Sequence, residues 1–188
     1  MSTQLAIIDL DGVVADATAR FAKAEEAKQA YESEMAELDI TDERGATDTY
    51  WQTVFNPDHV PLDTEIEGAI DAMARLSLSG YEVVILTSRP ESMREATRRW
   101  LFDQGKWNAK AIIMKAPAFQ YVKTVVWKAG MVQTLAAFYD ASEVVFIDDE
   151  ESNWTPLKNA GPQSYELTRY ASLAEAVEAL KEERHGNT

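Results

Sequence analysis

Leu5-Ala6-Ile7-Ile8-Asp9-Leu10-Asp11-Gly12-Val13-Val14 is the stretch whose reading decides the fold. A short apolar run bounded by acids and a glycine reads as a strand buried on both faces, with a polar turn at its carboxyl end. Two later stretches have the same form. Tyr81–Thr87 (YEVVILT) leads into Ser88-Arg89-Pro90, and Glu143–Asp148 (EVVFID) leads into Asp149. Ala111–Met114 is a shorter strand of the same kind, and an edge strand is expected near Tyr165.

Helical patterns fill the intervals. Ile66, Ala69, Ile70, Met73 and Leu76 recur at helical spacing up to Gly80. Further helices are expected over 91–104, with Pro90 in the first turn, over 121–139, over 153–160 before Gly161-Pro162, and over 172–183. Strand and helix alternate from residue 66 onward, which requires a parallel sheet covered by helices on both faces. Residues 17–62 break that alternation. Phe21, Ala24, Tyr31, Met35 and Leu38 lie on one helical face, and Tyr50, Trp51, Val54 and Phe55 on another. The expected architecture is a Rossmann-like three-layer α/β sandwich with a parallel central sheet. Its core comprises residues 1–16 and 63–188, and residues 17–62 form a small helical cap insertion.

Composition limits the function. The 188 residues carry 18 Lys plus Arg against 32 Asp plus Glu, a net charge of -14. That balance disfavours long nucleic acid, whose binding rests on phosphate neutralisation. The absence of cysteine excludes disulfides, thiolate zinc sites and cysteine nucleophiles. No apolar run is long enough to span a bilayer, and the acidic amino terminus does not read as a signal peptide, so a cytoplasmic protein is expected. The charge is uneven: residues 89–130 hold nine basic and three acidic side chains. A basic segment within an acidic chain is either a local anion site or a chance cluster on solvated helices.

In open α/β sheets, sites form beyond the carboxyl ends of the strands. Here those ends carry Asp9 and Asp11, Thr87 with Ser88 and Arg89, and Asp148 with Asp149; Lys128 lies on the helix before the strand that ends in Asp148. Converging carboxylates repel unless a cation joins them, and an all-oxygen set with few protein ligands suits Mg²⁺ beside a substrate phosphate. A carboxylate can also act as nucleophile, and a second one as general acid and then base. A hydroxyl and an ammonium can hold phosphoryl oxygens.

Asp9-Leu10-Asp11-Gly12-Val13-Val14, Thr87, Lys128 and Asp148-Asp149 together resemble the four ordered motifs of the haloacid dehalogenase superfamily of phosphohydrolases. Many members have threonine where this chain has Val13, and a subset that includes nucleotidases has valine. The resemblance implies an aspartyl-phosphate mechanism with Mg²⁺ as cofactor. Asp9 is then the nucleophile, Asp11 the acid and base, Thr87 a phosphoryl ligand, and Lys128 the neutralising cation. Asp9, Asp148 and the Asp11 main-chain carbonyl are the implied metal ligands, with Gly12 and Asp149 in support. Lys123 is the rival to Lys128, but the apolar approach Val125-Val126-Trp127 favours Lys128.

Ile85-Leu86-Thr87-Ser88-Arg89-Pro90-Glu91 resembles the second motif of polynucleotide kinase phosphatase domains. Asp9 to Asp16 resembles the opening motif of the 5'-deoxyribonucleotidases. Both groups act on nucleotide phosphates, so a small phosphorylated substrate of nucleotide type is expected, with Ser88 and Arg89 contacting it. A nucleic-acid 3'-phosphate is the alternative substrate, and an idle phosphate-binding or regulatory module the alternative class. Arg94 and Arg98 could extend a positive strip, or face water. Asp16 reads as a helix cap, His59 as an exposed loop residue, His185 as part of a frayed tail, and Tyr50 and Trp51 as core aromatics. The oligomeric state is open.

Overall fold

The computed structural model describes residues 3–103, 109–159 and 164–186. Strand β1 (Thr3–Ile8) lies at the centre of a five-stranded sheet. It pairs in parallel with β4 (Tyr81–Pro90) on one side and β6 (Ala141–Ile147) on the other. β5 (Ala111–Lys115) and β7 (Glu166–Tyr170) form the edges, giving the order β5-β4-β1-β6-β7, parallel throughout.

Side chains of β1 alternate between two apolar layers. Ala6 and Ile8 face one core, which includes residues of α3 (Ala69–Leu78), α4 (Arg94–Asp103) and α7 (Leu173–Gly186). Leu5 and Ile7 face the other, which includes residues of α5 (Thr124–Phe138) and α6 (Glu151–Lys158). All four residues are fully buried, and each large one contributes about 1.5–3 kcal/mol relative to exposure. The central strands therefore lack polar alternation, which is why their sequence reads as unbroken apolar runs.

Between β1 and α3 lie α1 (Thr18–Glu37), α2 (Glu43–Val54) and a 3₁₀ turn over Pro57–Leu62. α1 and α2 pack as a pair. Asp42 caps α2 by accepting from the Gly45 backbone N–H at 2.9 Å, and it also accepts from the Tyr31 hydroxyl at 2.6 Å. A small ribbon closes the base of this segment: β2 (Ala15–Asp16) pairs antiparallel with β3 (Thr64–Glu65).

Several boundaries differ from those expected. β4 continues to Pro90, so α4 begins at Arg94 after a short 3₁₀ turn rather than at residue 91. The expected helix over 153–160 is observed as Glu151–Lys158, and its expected Gly161-Pro162 terminator lies outside the described residues, as does the His185 side chain. Tyr50 is only half-buried and Trp51 is exposed, so neither is a core aromatic. His59 is half-buried rather than exposed, with its ring nitrogen Nδ1 3.0 Å from the Thr53 carbonyl. No described helix is long and apolar enough to cross a membrane.

Candidate active site

The register of the sheet places the acids. Ile8 of β1 pairs with Ile147 of β6, so the next residues, Asp9 and Asp148, emerge side by side at the carboxyl edge. Both remain tied to the ladder, with the Asp9 N–H donating to Ile147 O at 2.8 Å and the Asp148 N–H to Tyr170 O at 3.1 Å. α5 then brings in Lys128, whose Nζ donates to Asp9 Oδ2 at 2.5 Å and to Asp148 Oδ2 at 2.7 Å. Lys123, the alternative, stands exposed at the start of the same helix.

Asp148 is held from all sides. Asn153 Nδ2 donates to both of its oxygens at 2.9 and 3.1 Å, the Glu150 N–H donates at 3.0 Å, and Arg169 donates to its carbonyl at 3.0 Å. Asp149 lies beside it, and carboxylate oxygens of Asp9, Asp148 and Asp149 fall within 4.8 Å of one another. Gly12 makes this approach possible. Its φ is +84°, and a Cβ there would collide with the Asp149 carboxylate.

The electrostatics are those of an under-compensated acidic cluster. Burial pushes the Asp9 carboxyl up to about 7, Asp148 adds to this, and Lys128 only partly opposes it. Burial and the neighbouring Asp148 charge also raise Asp149. For Lys128, burial acts to lower the pKa, but the charges of Asp9 and Asp148 prevail and raise it. Three carboxylates share one ammonium, all with oxygen donors and close enough to meet at one ion. This donor chemistry fits a hard divalent cation such as Mg²⁺.

Asp11 points elsewhere. Arg89 Nε donates to its Oδ2 at 3.0 Å and Arg89 Nη2 to its Oδ1 at 2.5 Å, while Arg20 Nη2 donates to Oδ1 at 2.6 Å. Asp63 closes the ring, accepting from Arg20 Nε at 2.8 Å and Arg89 Nη2 at 2.6 Å. Arg20 also donates to the Val54 carbonyl at 2.9 Å, which ties α1 to the end of α2. Burial would raise the Asp11 pKa, but hydrogen bonding and charge from Arg89, then the charges of Arg20 and Lys128, hold it below the ordinary carboxylate range.

A cavity of about 760 Å³ opens over the site, lined among others by Asp9, Asp11, Gly12, Ser88, Lys128 and Asp149. The strand-end residues divide in an unexpected way. Ser88 reaches the cavity wall, whereas Thr87 is buried and its Oγ1 accepts from the Arg89 N–H at 3.2 Å. Arg89, expected at a substrate phosphate, is fully buried with its guanidinium bound to Asp11, Asp63 and Thr97. Arg94 pairs with Glu91 and Arg98 with Glu95, so these two do not form a bare positive strip. Asp16 does support the start of α1, accepting from the Thr18 N–H at 2.9 Å.

Sequence reasoning missed Arg20, Asp63, Asn153 and Arg169. Arg20 and Asp63 are 43 residues apart and meet only because the 17–62 segment folds back on itself. Asn153 carried a usable signal, since it lies five residues after Asp148 on the first turn of the following helix.

The fold is that of the haloacid dehalogenase-like hydrolases. A haloacid dehalogenase-like hydrolase from Streptococcus pneumoniae superposes with a TM-score of 0.61 at 14% identity, over 86% of this chain and 82% of that one. A provisionally named β-phosphoglucomutase from Thermotoga maritima gives 0.64 at 16% identity, over 96% and 99%. The D,D-heptose 1,7-bisphosphate phosphatase of B. bronchiseptica, solved with magnesium and phosphate, gives 0.53 at 19% identity, over 96% and 99%. No protein-family model matches the chain, and no curated sequence is significantly similar to it.

Proposed function

We propose that the chain is a cytoplasmic, Mg²⁺-dependent phosphomonoester hydrolase that works through an aspartyl-phosphate on Asp9, with a nucleotide-type phosphate as substrate. One observation carries this reading: Lys128 Nζ is held between Asp9 and Asp148, with Asp149 alongside, at the floor of an open cavity. A purely structural ion pair has no need of a third carboxylate or of access from solvent.

The side chains of Asp9, Asp148 and Asp149, with the Asp11 main-chain carbonyl, would hold the Mg²⁺, which supplies neutralisation of carboxylate and phosphoryl charge. Asp9 Oδ attacks phosphorus in line, and the P–O bond to the leaving alkoxide breaks. Lys128 offsets charge on Asp9 and the phosphoryl oxygens, and Ser88 offers a hydroxyl at the cavity wall. Asp11 delivers a proton to the leaving oxygen and later removes one from water; the resulting hydroxide attacks phosphorus, releasing orthophosphate and restoring Asp9. In the observed state Asp11 is bound by two arginines that favour its carboxylate, so its acid role requires that it first give up at least one of those contacts and take up a proton from water. The 17–62 segment acts as a cap over this chemistry, and its link to Asp11 through Arg20 supports that role.

The reading is tested by assaying phosphate release from mononucleotides, 3'-phosphorylated oligonucleotides and sugar phosphates, with Mg²⁺ and with EDTA. Hydrolysis of mononucleotides that EDTA abolishes is expected. Activity confined to sugar phosphates overturns the nucleotide assignment alone, and preference for oligonucleotide 3'-ends moves it to nucleic acid. Inertness across the panel overturns the hydrolase and leaves an idle phosphate-binding module.

A further inference from the structure

A second cavity of about 480 Å³ adjoins the catalytic one and shares two residues with it, Ser88 and Thr124. One wall carries Trp51 of α2 and Phe55 just past its end; Pro90, Lys115 and Gln120 complete the part that matters here. The volume falls in the range of small-molecule sites.

The aromatic wall is only partly used by the fold. Trp51 and Phe55 stack with ring centroids 5.4 Å apart and planes inclined by 19°, and Tyr50 braces Trp51 edge-on at 5.1 Å. Phe55 is anchored against the apolar core, whereas Trp51 is 46% exposed. An indole that lines a cavity without being buried is available to a ligand with a flat face of its own.

The polar groups narrow the ligand further. Lys115 Nζ donates to the Val122 carbonyl at 2.6 Å, and an ammonium has two further donors. The Gln120 amide adds both a donor and an acceptor. Among the described residues lining this cavity Glu91 is the one acid, and it is paired with Arg94, so Lys115 stands as the cavity's unneutralised charge. A saturated sugar meets an aromatic face only through its C–H groups, whereas a planar base stacks on it with its whole π-face. A planar heteroaromatic ring bearing a carbonyl acceptor satisfies both the stacking face and the donors.

We infer that this second cavity takes the nucleobase of the substrate, seated against Trp51 and Phe55 while the phosphate lies on the Asp9 and Lys128 side. The inference rests on the hydrolase reading above and specifies its substrate class. Base–aromatic stacking measured by alanine substitution corresponds to about 5- to 150-fold in affinity.

The test compares wild type, Trp51→Ala and Trp51→Phe on nucleoside 5'-monophosphates and on ribose 5-phosphate, which keeps the phosphate and sugar but lacks the ring. Trp51→Ala is expected to raise KM for the nucleotides about tenfold or more with kcat little changed. The ratio of kcat/KM for nucleotide to that for ribose phosphate should fall by the same factor, and Trp51→Phe should recover most of it. Equal losses on both substrates, or no loss on either, overturn the inference. Failure of the hydrolase reading looks different, because wild type then cleaves neither compound. In that case free nucleoside is titrated against tryptophan fluorescence. Saturable quenching that Trp51→Phe lacks upholds the cavity as a base site, and absence of such quenching overturns it.

Discussion

Asp11 divides its two oxygens between Arg20 and Arg89, and this sets its chemistry. A proton delivered to the leaving oxygen helps most where that oxygen is most basic, as in an alkoxide, and least where it leaves unaided. Replacing it therefore discriminates between substrates: Asp11→Asn should lose at least tenfold more kcat on an alkyl phosphate than on p-nitrophenyl phosphate, whose phenolate leaves unaided. Equal losses on the two would show that Asp11 acts by position or charge rather than by proton transfer. Asp63 serves the same ring from below, fully buried between the arginines. Asp63→Ala leaves two buried guanidinium groups short of a partner and should cost about 3–5 kcal/mol in urea unfolding. The placing of Asp9, Asp11 and Asp148 at strand ends is legible from the apolar runs before them, whereas Lys128 is singled out by the resemblance of its motif. The burial of Arg89 is not legible in the sequence. A guanidinium two residues past a strand end reads alike whether it faces a substrate or a carboxylate, and the deciding partner, Asp63, is 26 residues away.

At the scale of elements, the central strands were readable because burial on both faces leaves an unbroken apolar run. The β2–β3 ribbon was not, since each of its strands has two residues and no periodicity to detect. The loop after β1 is the element on which the site depends most. Leu10 O accepts from the Val14 and Ala15 N–H groups at 2.9 and 2.8 Å, which wraps the chain tightly and turns Gly12 toward Asp149. Gly12→Ala both strains a positive φ and displaces the Asp149 carboxylate. Calorimetric titration should show Mg²⁺ affinity reduced by about tenfold or more, the scale expected when support of a metal ligand is lost. Unchanged affinity would remove Asp149 from the metal site.

Over the whole molecule, the basic stretch at 89–130 resolves into separate parts. Arg89 is buried among acids, Arg94 and Arg98 pair within their own turns, and Lys110 pairs with Glu82. Among the described residues of this stretch, Lys128 lines the catalytic cavity and Lys115 the adjoining one. Asp9 ties stability to pH. Its pKa rises from 3.8 to about 7 on folding, so the stabilisation it contributes is complete below about 3.8 and is lost as pH rises through 7. In EDTA, the wild-type Tm should therefore fall between pH 5 and pH 8, and Asp9→Asn should flatten that decline. Added Mg²⁺ should raise the wild-type Tm at pH 8 and leave that of Asp9→Asn nearly unchanged. A wild-type Tm indifferent to Mg²⁺ would contradict the metal assignment. The most direct test of the central claim is the rate of p-nitrophenyl phosphate hydrolysis with Mg²⁺ by wild type and by Asp9→Asn, with folding of both followed by circular dichroism. Readily measured turnover by wild type and a loss of at least about 10³-fold in the folded variant is the predicted result. A variant within tenfold of wild type, or a folded wild type that releases no phosphate, would contradict it.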